Sequence, residues 1–291
     1  MSKHHKAIWQ VDQILKLYND GSYKTRSDRE QSLRQFIREV IYVGGFKIQD
    51  LDNLKQKHIF FFVESCKERG LTEATIKNKV AHLRWLANVL DKPNLIPKTN
   101  AELGIGQRVY LTNVQKAVTL TPDKLAVIGD KYIAMSLMLQ AGFGLRREEA
   151  IKIRPDEADK GDVLVLKGSW CKNGRGRIIP IETAEQRALL EAAKRLANGG
   201  SLIPPDRNYK EQMKLYENLT AKAGIKGHGL RHSYAQGKYK EITGFNCKVD
   251  GGKDKKEMTI EEKKLDRQAR EIISQRLGHN RVEITNNYLG R

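Results

Sequence analysis

The sequence predicts a mainly α-helical protein with a small β-sheet, built as two domains. Apolar residues recur at helical spacing over much of the chain, as in Ile76, Val80, Leu83, Leu86 and Leu90. Only two short runs, Val163–Leu166 and residues 177–181, read as strands, and a Gly-rich turn separates them. The length, 291 residues, exceeds what one compact core usually holds. Residues 92–117 are interrupted by Pro93, Pro97, Gly104 and Gly106, so they are expected to link a helical domain of residues 1–91 to a second domain of residues 118–291.

In the first domain Leu33, Ile37, Val40 and Ile41 share one helical face. Asp52 is the expected cap of a second helix bearing Ile59, Phe60, Phe61, Phe62 and Val63, whose phenylalanines read as core. Thr72 is the expected N-cap of a third. Lys77, Lys79 and Arg84 lie off the apolar face of that helix and are candidate contacts to phosphate. The second domain opens with Thr121-Pro122-Asp123, a helix start with proline at the first helical position. An apolar helix over 132–141 follows, ends at Gly142-Phe143-Gly144, and a new helix opens at Leu145-Arg146. Residues 183–198 read as helical, and Thr259 is placed to cap a helix through Ile260, Leu265, Ala269 and Ile272.

Lysine and arginine outnumber aspartate and glutamate 53 to 35, a net charge of +18, which favours a polyanionic partner. Hydrophobic residues at 39% suffice for real cores and exclude a disordered basic tail. Cys66, Cys171 and Cys247 follow no metal-ligand spacing and give no even disulfide set. A zinc site from His228, His232 and His279 lacks a cysteine or acidic ligand to complete it, so no metal is expected. The N-terminus leads into no apolar signal segment, and no run is long enough to span a membrane. A cytoplasmic protein is expected.

The richest stretch runs from His228 to Tyr288. His228 and Arg231 are three apart, so on a helix they share a face and reach one anion together. Leu277-Gly278-His279 follows, and Tyr288 stands nine residues beyond His279. A tyrosine hydroxyl is a poor nucleophile unless its surroundings stabilise the charge that develops on it.

Gly144-Leu145-Arg146 with Glu149, Lys172 eight residues before Pro180, His228-Gly-Leu-Arg231-His232, and Leu277-Gly-His279 with Tyr288 occur in this order within one basic chain. In this the sequence resembles the tyrosine recombinase (phage integrase) family. The motifs span 144–288, and the N-terminal helices agree in size and class with the family's core-binding domain. The resemblance implies a site-specific recombinase that cuts and rejoins duplex DNA through a covalent 3′-phosphotyrosyl intermediate, with no metal and no ATP. It implies that Tyr288 attacks the phosphorus while Arg146 and Arg231 bind the non-bridging oxygens. Lys172 would protonate the leaving 5′ oxygen, His228 would orient Tyr288 or take its proton, and His279 would donate to the phosphate. Glu149 would support the site. A homotetramer on double-stranded DNA is implied, with accessory DNA-bending or directionality proteins and no membrane. A two-domain clamp around the duplex is the expected form.

Two departures stand out. Arg231 and His279 are 48 residues apart, about twice the family interval, and the excess falls in an excursion near 244–262. Only Leu289, Gly290 and Arg291 follow Tyr288, so coupling between protomers is expected to use an element other than a C-terminal helix. Two alternatives stay open at this point: a type IB topoisomerase-like relaxing activity, and a catalytically silent DNA-binding protein.

Overall fold

The computed structural model describes residues 5–109, 113–226 and 228–291. Residues 1–4 and 110–112, at the start of the expected first domain and inside the expected linker, lie outside these. The chain forms two compact units, one ending at Val109 and the other beginning at residue 110. Among the described residues no helix is long and apolar enough to cross a membrane.

Four helices build the first unit: α1 (His5–Leu17), α2 (Tyr23–Arg38), α3 (Gln56–Glu68) and α4 (Glu73–Val89). Leu33, Ile37 and Val40 are fully buried with Ile59, Phe62, Val63, Ile76, Val80 and Leu83 in one core. Thr72 caps α4 as expected, its hydroxyl accepting from the Thr75 N–H. Asp52 does not cap α3. Asp50 accepts the Asp52 N–H and closes a single 3-10 turn over Leu51–Asn53, after which Leu54 is extended and buried. The helix therefore starts only after Lys55. Of the three phenylalanines Phe62 is buried whereas Phe60 is exposed, because three consecutive helical positions cannot share one face. The expected boundary at residue 91 also moves. Leu95, Ile96, Leu103 and Ile105 insert into the first core, so the front half of the expected linker is part of that unit.

The second unit begins with α5 (Pro122–Ile128), α6 (Lys131–Phe143), α7 (Arg147–Lys152) and α8 (Pro155–Ala158). The strands β1 (Val163–Leu166) and β2 (Arg177–Pro180) pair antiparallel, with Val163 opposite Pro180 and Leu166 opposite Arg177. Then come α9 (Ala184–Ala197), α10 (Tyr209–Lys222), α11 (Gly229–Thr243), α12 (Ile260–Arg276) and the one-turn α13 (Asn286–Leu289). Helix α11 is central, packing against α6, α12 and α13. It buries Arg231, His232, Gln236 and Lys238 beside Leu230, Tyr234 and Tyr239, so polar pairing adds to apolar area in holding it. Lys238 donates to Glu182 at 2.8 Å, and Gln236 donates to the Tyr288 carbonyl at 3.0 Å. The second of these bonds fixes the one-turn helix α13, too short to be stable alone, on the side of α11.

Candidate active site

The site is assembled from chain reversals that deliver short polar segments to the N-terminal turn of α11. Helix α6 stops because Gly144 adopts a left-handed conformation, φ 62°. A Cβ there would lie 2.5 Å from the Tyr234 ring, so only glycine lets α11 approach this closely. The freed Gly144 carbonyl accepts from Arg231 Nη1. Arg146 then occupies the N-cap of α7, and Glu149 turns back onto it. The Arg146 backbone N–H donates to Glu149 Oε2 at 2.6 Å and its Nη1 donates to Oε1 at 2.8 Å. Arg146 Nη2 reaches the Gly278 carbonyl at 3.2 Å.

Glu149 is fully buried and has a second, more enclosed partner. Arg177, the first residue of β2, donates to Oε1 at 2.6 Å and to Oε2 at 2.7 Å. Its Nε donates to the Arg276 carbonyl at 2.8 Å, tying β2 to the end of α12. Burial by itself raises the pKa of Glu149, but the paired bonds and charge of Arg177, with the Arg146 N–H, outweigh it and hold the carboxyl at about 2. The carboxylate is therefore a fixed negative charge between two arginines.

Arg231 is 1% exposed. Of its five N–H donors one reaches the Gly144 carbonyl, one the Leu277 carbonyl and one, from Nε, the Tyr288 hydroxyl at 3.3 Å. Burial lowers its pKa to about 10, so it stays charged at neutral pH. Its Nη2 is also 3.4 Å from His279 Nε2.

The imidazoles surround the tyrosine. After α12 the chain turns through Gly278, φ 64°, where a Cβ would meet Arg177 Cδ at 2.8 Å. This turn places the His279 ring 5.6 Å from the Tyr288 ring, centroid to centroid. The His232 ring is nearer, at 4.6 Å. Burial, then the charges of Arg231, Arg146 and Arg177, depress His279 to about 3. Burial, then Lys116 and His228, depress His232 to about 4. Both are neutral at pH 7, so His279 Nε2 is free to accept from Arg231. His228 stands at the N-cap of α11, one turn from Arg231, with an exposed surface. Its pKa is also lowered, by desolvation against its neighbours and then by Arg231 and Arg146.

Lys172 lies in a 3-10 turn, Lys172–Gly174, between the strands and is solvent-exposed. Arg146 and Glu149 are thus in direct contact, as are Arg231, His279 and Tyr288, and the two sets meet on the neighbouring Gly278 and Leu277 carbonyls, with His228 at the helix cap. Lys172 belongs to the hairpin that Arg177 anchors. The three candidate phosphate contacts on α4 differ among themselves. Arg84 donates to Asn100 Oδ1 at 3.0 Å and to the Pro97 carbonyl at 3.1 Å, so it fastens the segment after α4. Lys79 donates to Gln35 at 2.7 Å, whereas Lys77 is partly exposed with no ion pair among the described residues.

Comparison with known proteins follows this geometry. A family model described as "Phage integrase, N-terminal" matches residues 6–94, and one described as "Integrase" matches residues 111–237; together they span about three quarters of the chain. The chain belongs to the phage integrase family of tyrosine-type site-specific recombinases. The second match ends before His279 and Tyr288, whose place in the site rests on the contacts above. Among solved structures, the fold of this recombinase is similar to that of XerH site-specific recombinase bound to difH substrate, with a TM-score of 0.58 and 16% identity over 97% of this chain and 80% of the other. A lambda integrase dimer bound to a COC′ core site gives 0.63 and 15% identity over 96% and 75%. The Tn1549 transposon integrase in complex with circular intermediate DNA gives 0.55 and 16% identity over 98% and 95%. A comparison with curated protein sequences returns no match.

Sequence reasoning gave no role in this site to two residues that the structure brings into it. Arg177 reads only as a strand start, yet a charged residue opening a strand of Ile-Ile-Pro was a signal that its side chain needs a buried partner. His232 directly follows Arg231, and on a helix the next residue points about a quarter-turn away. Only the position of α13 brings it against Tyr288.

Proposed function

We propose that this recombinase cuts and rejoins duplex DNA at a specific site through a 3′-phosphotyrosine on Tyr288, without metal or ATP. Tyr288 Oη attacks the scissile phosphorus, the bond to the 5′ oxygen breaks, and Lys172 returns a proton to that oxygen. A neutral imidazole takes the tyrosine proton, and His228 is assigned this role. Arg146 and Arg231 hold the non-bridging oxygens; of the two N–H donors of Arg231 not taken by the Gly144 and Leu277 carbonyls or by Tyr288, one is open among the described residues and one faces His279, which a phosphate oxygen would replace. His279 donates to the phosphate once an anion beside it offsets the burial and the arginine charges that hold it neutral.

The observation that carries this reading is the 3.3 Å contact from the buried Arg231 guanidinium to the Tyr288 hydroxyl. An N–H of a fixed cation aimed at the attacking oxygen lowers the energy of the negative charge that develops there, with no reorganisation at the moment of reaction. Arginines in a solvent-poor site supply the charge stabilisation that a Lewis acid gives elsewhere. The phosphotyrosine retains the energy of the broken bond, so rejoining needs no ATP. The partner is double-stranded DNA, bound by a homotetramer in the cytoplasm, with accessory DNA-bending proteins where the site requires them. Membership of the family and the DNA-bound state of the similar structures support this assignment.

The test is a nicked suicide substrate made from DNA flanking the chain's own coding sequence, incubated in EDTA and run on a denaturing gel. A protein–DNA adduct mapping to Tyr288 is expected. Tyr288→Phe should remove it while duplex binding stays within a few-fold of the unsubstituted protein. An adduct that persists in that variant would assign the nucleophile elsewhere.

A further inference from the structure

The excursion after α11 is a built structure. Cys247 and Met258 are buried, and the Phe245 ring packs edge-on against Tyr239 at 5.8 Å. Lys248 pairs with Asp254, and Lys253 with Glu262 at 2.6 Å. Thr259 then caps α12 through a reciprocal bond with Glu262. Residues 248–250 also pack against α13, the helix of Tyr288.

This scaffold and the N-terminal half of α12 wall a groove of two adjoining cavities, about 890 and 550 Å³, which share Lys255, Lys263 and Arg291. The enclosed Arg270 is matched by the buried Asp266 at 2.8 Å, and the exposed Arg267 by Glu271 at 3.1 Å. The lysines along the rim are not matched. Lys255, Lys256, Lys263 and Lys264 are exposed and make no ion pair among the described residues. Four exposed ammonium groups on an ordered frame, against one lining carboxylate, Glu283, unpaired among the described residues, leave a positive surface that suits a polyanion.

We infer that this groove is a second DNA-contacting surface, binding the phosphate backbone of duplex DNA away from the Tyr288 site. Flexible, dispersed lysines suit a row of phosphates, whereas a small anion is gripped by converging arginine forks. A protein partner would need apolar or aromatic anchors. The cavity linings offer one apolar side chain, Val282, and no aromatic ring. The groove accounts for the extra length between Arg231 and His279 and rests on the reading of the chain as a DNA recombinase.

The test compares the full chain with its Lys255→Gln/Lys256→Gln/Lys263→Gln/Lys264→Gln variant on two duplexes sharing the mapped cleavage site, one just spanning it and one extended on both sides. Fluorescence anisotropy over a salt series reads binding, and circular dichroism checks folding. On the extended duplex the variant should lose about tenfold in affinity at moderate salt, and its log–log salt slope should fall by about 0.9 per lysine engaged. On the short duplex, affinity and suicide-adduct yield should be unchanged. Equal binding of the extended duplex by both proteins overturns the inference. An equal loss on both duplexes also overturns it, placing these lysines in the catalytic contact. A variant that loses only binding to poly-glutamate would assign the groove to an acidic protein instead. Absence of adduct from both proteins counts against the proposed reaction, whereas the difference in duplex binding still decides the groove.

Discussion

Glu149 shows what a single residue does in this site. Its carboxylate takes four N–H donors from Arg146 and Arg177 within 2.8 Å while fully buried. Glu149→Gln keeps the shape but leaves Arg177 buried without a countercharge, so a loss of about 3–5 kcal/mol is expected, read as a fall in the urea midpoint. The histidines set a pH dependence. His279 and His232 are held near 3 and 4, against about 6.5 in the unfolded chain. Below pH 6.5 the unfolded state takes up protons that the folded state refuses, so stability falls with falling pH until the folded values are passed. Glu149, held near 2, adds a loss that starts below its unfolded value near 4.5. Urea unfolding at pH 5 should therefore give a stability about 2–4 kcal/mol below that at pH 7. His232→Phe should remove part of that difference, and an unchanged pH profile in this variant would show that His232 does not contribute. The two arginines of the motifs and the tyrosine were legible in the sequence because each sits in a short fixed spacing. Arg177 was not, because its partner is 28 residues away.

At the scale of elements, the site depends on where helices stop. Gly144 ends α6 in a left-handed turn, hands its carbonyl to Arg231 and admits the Tyr234 ring. Gly144→Ala combines an unfavourable backbone conformation with a clash and should cost about 2–4 kcal/mol, measured as a lowered melting temperature. Helix boundaries with a glycine or a hydroxyl cap were visible in advance, as at Thr72, Thr121, Thr183 and Thr259. Asp52 misled because Asp50, two residues earlier, accepts the N–H of Asp52 itself and closes a separate turn first. Short-range polar competition of this kind leaves little trace in a hydrophobic pattern.

Among the described residues, the buried apolar side chains of the first unit form one cluster and those of the second form three. Calorimetry of the intact chain should accordingly depart from a single two-state transition. Gly144→Ala should lower only the transition of the second unit; a uniform shift of the whole profile would mean that the two units unfold as one. The division after Val109 rather than after residue 91 follows from the same cores, since four apolar residues of the segment beyond α4 are buried in the first.

The sequence by itself determined the helical class, the two-domain plan, the hairpin and the family, because periodicity, caps and motif spacing are local properties. Tertiary structure alone decided which side chains meet. It set His232 and His279 beside Tyr288, locked Glu149 between Arg146 and Arg177, and made the excursion into one wall of a lysine-rimmed groove. The long-range side-chain contacts of the site join residues 28 to 57 positions apart, as in Arg177 with Glu149 and Arg231 with Tyr288. They exist only because packing around α11 brings the chain ends of several helices to one place.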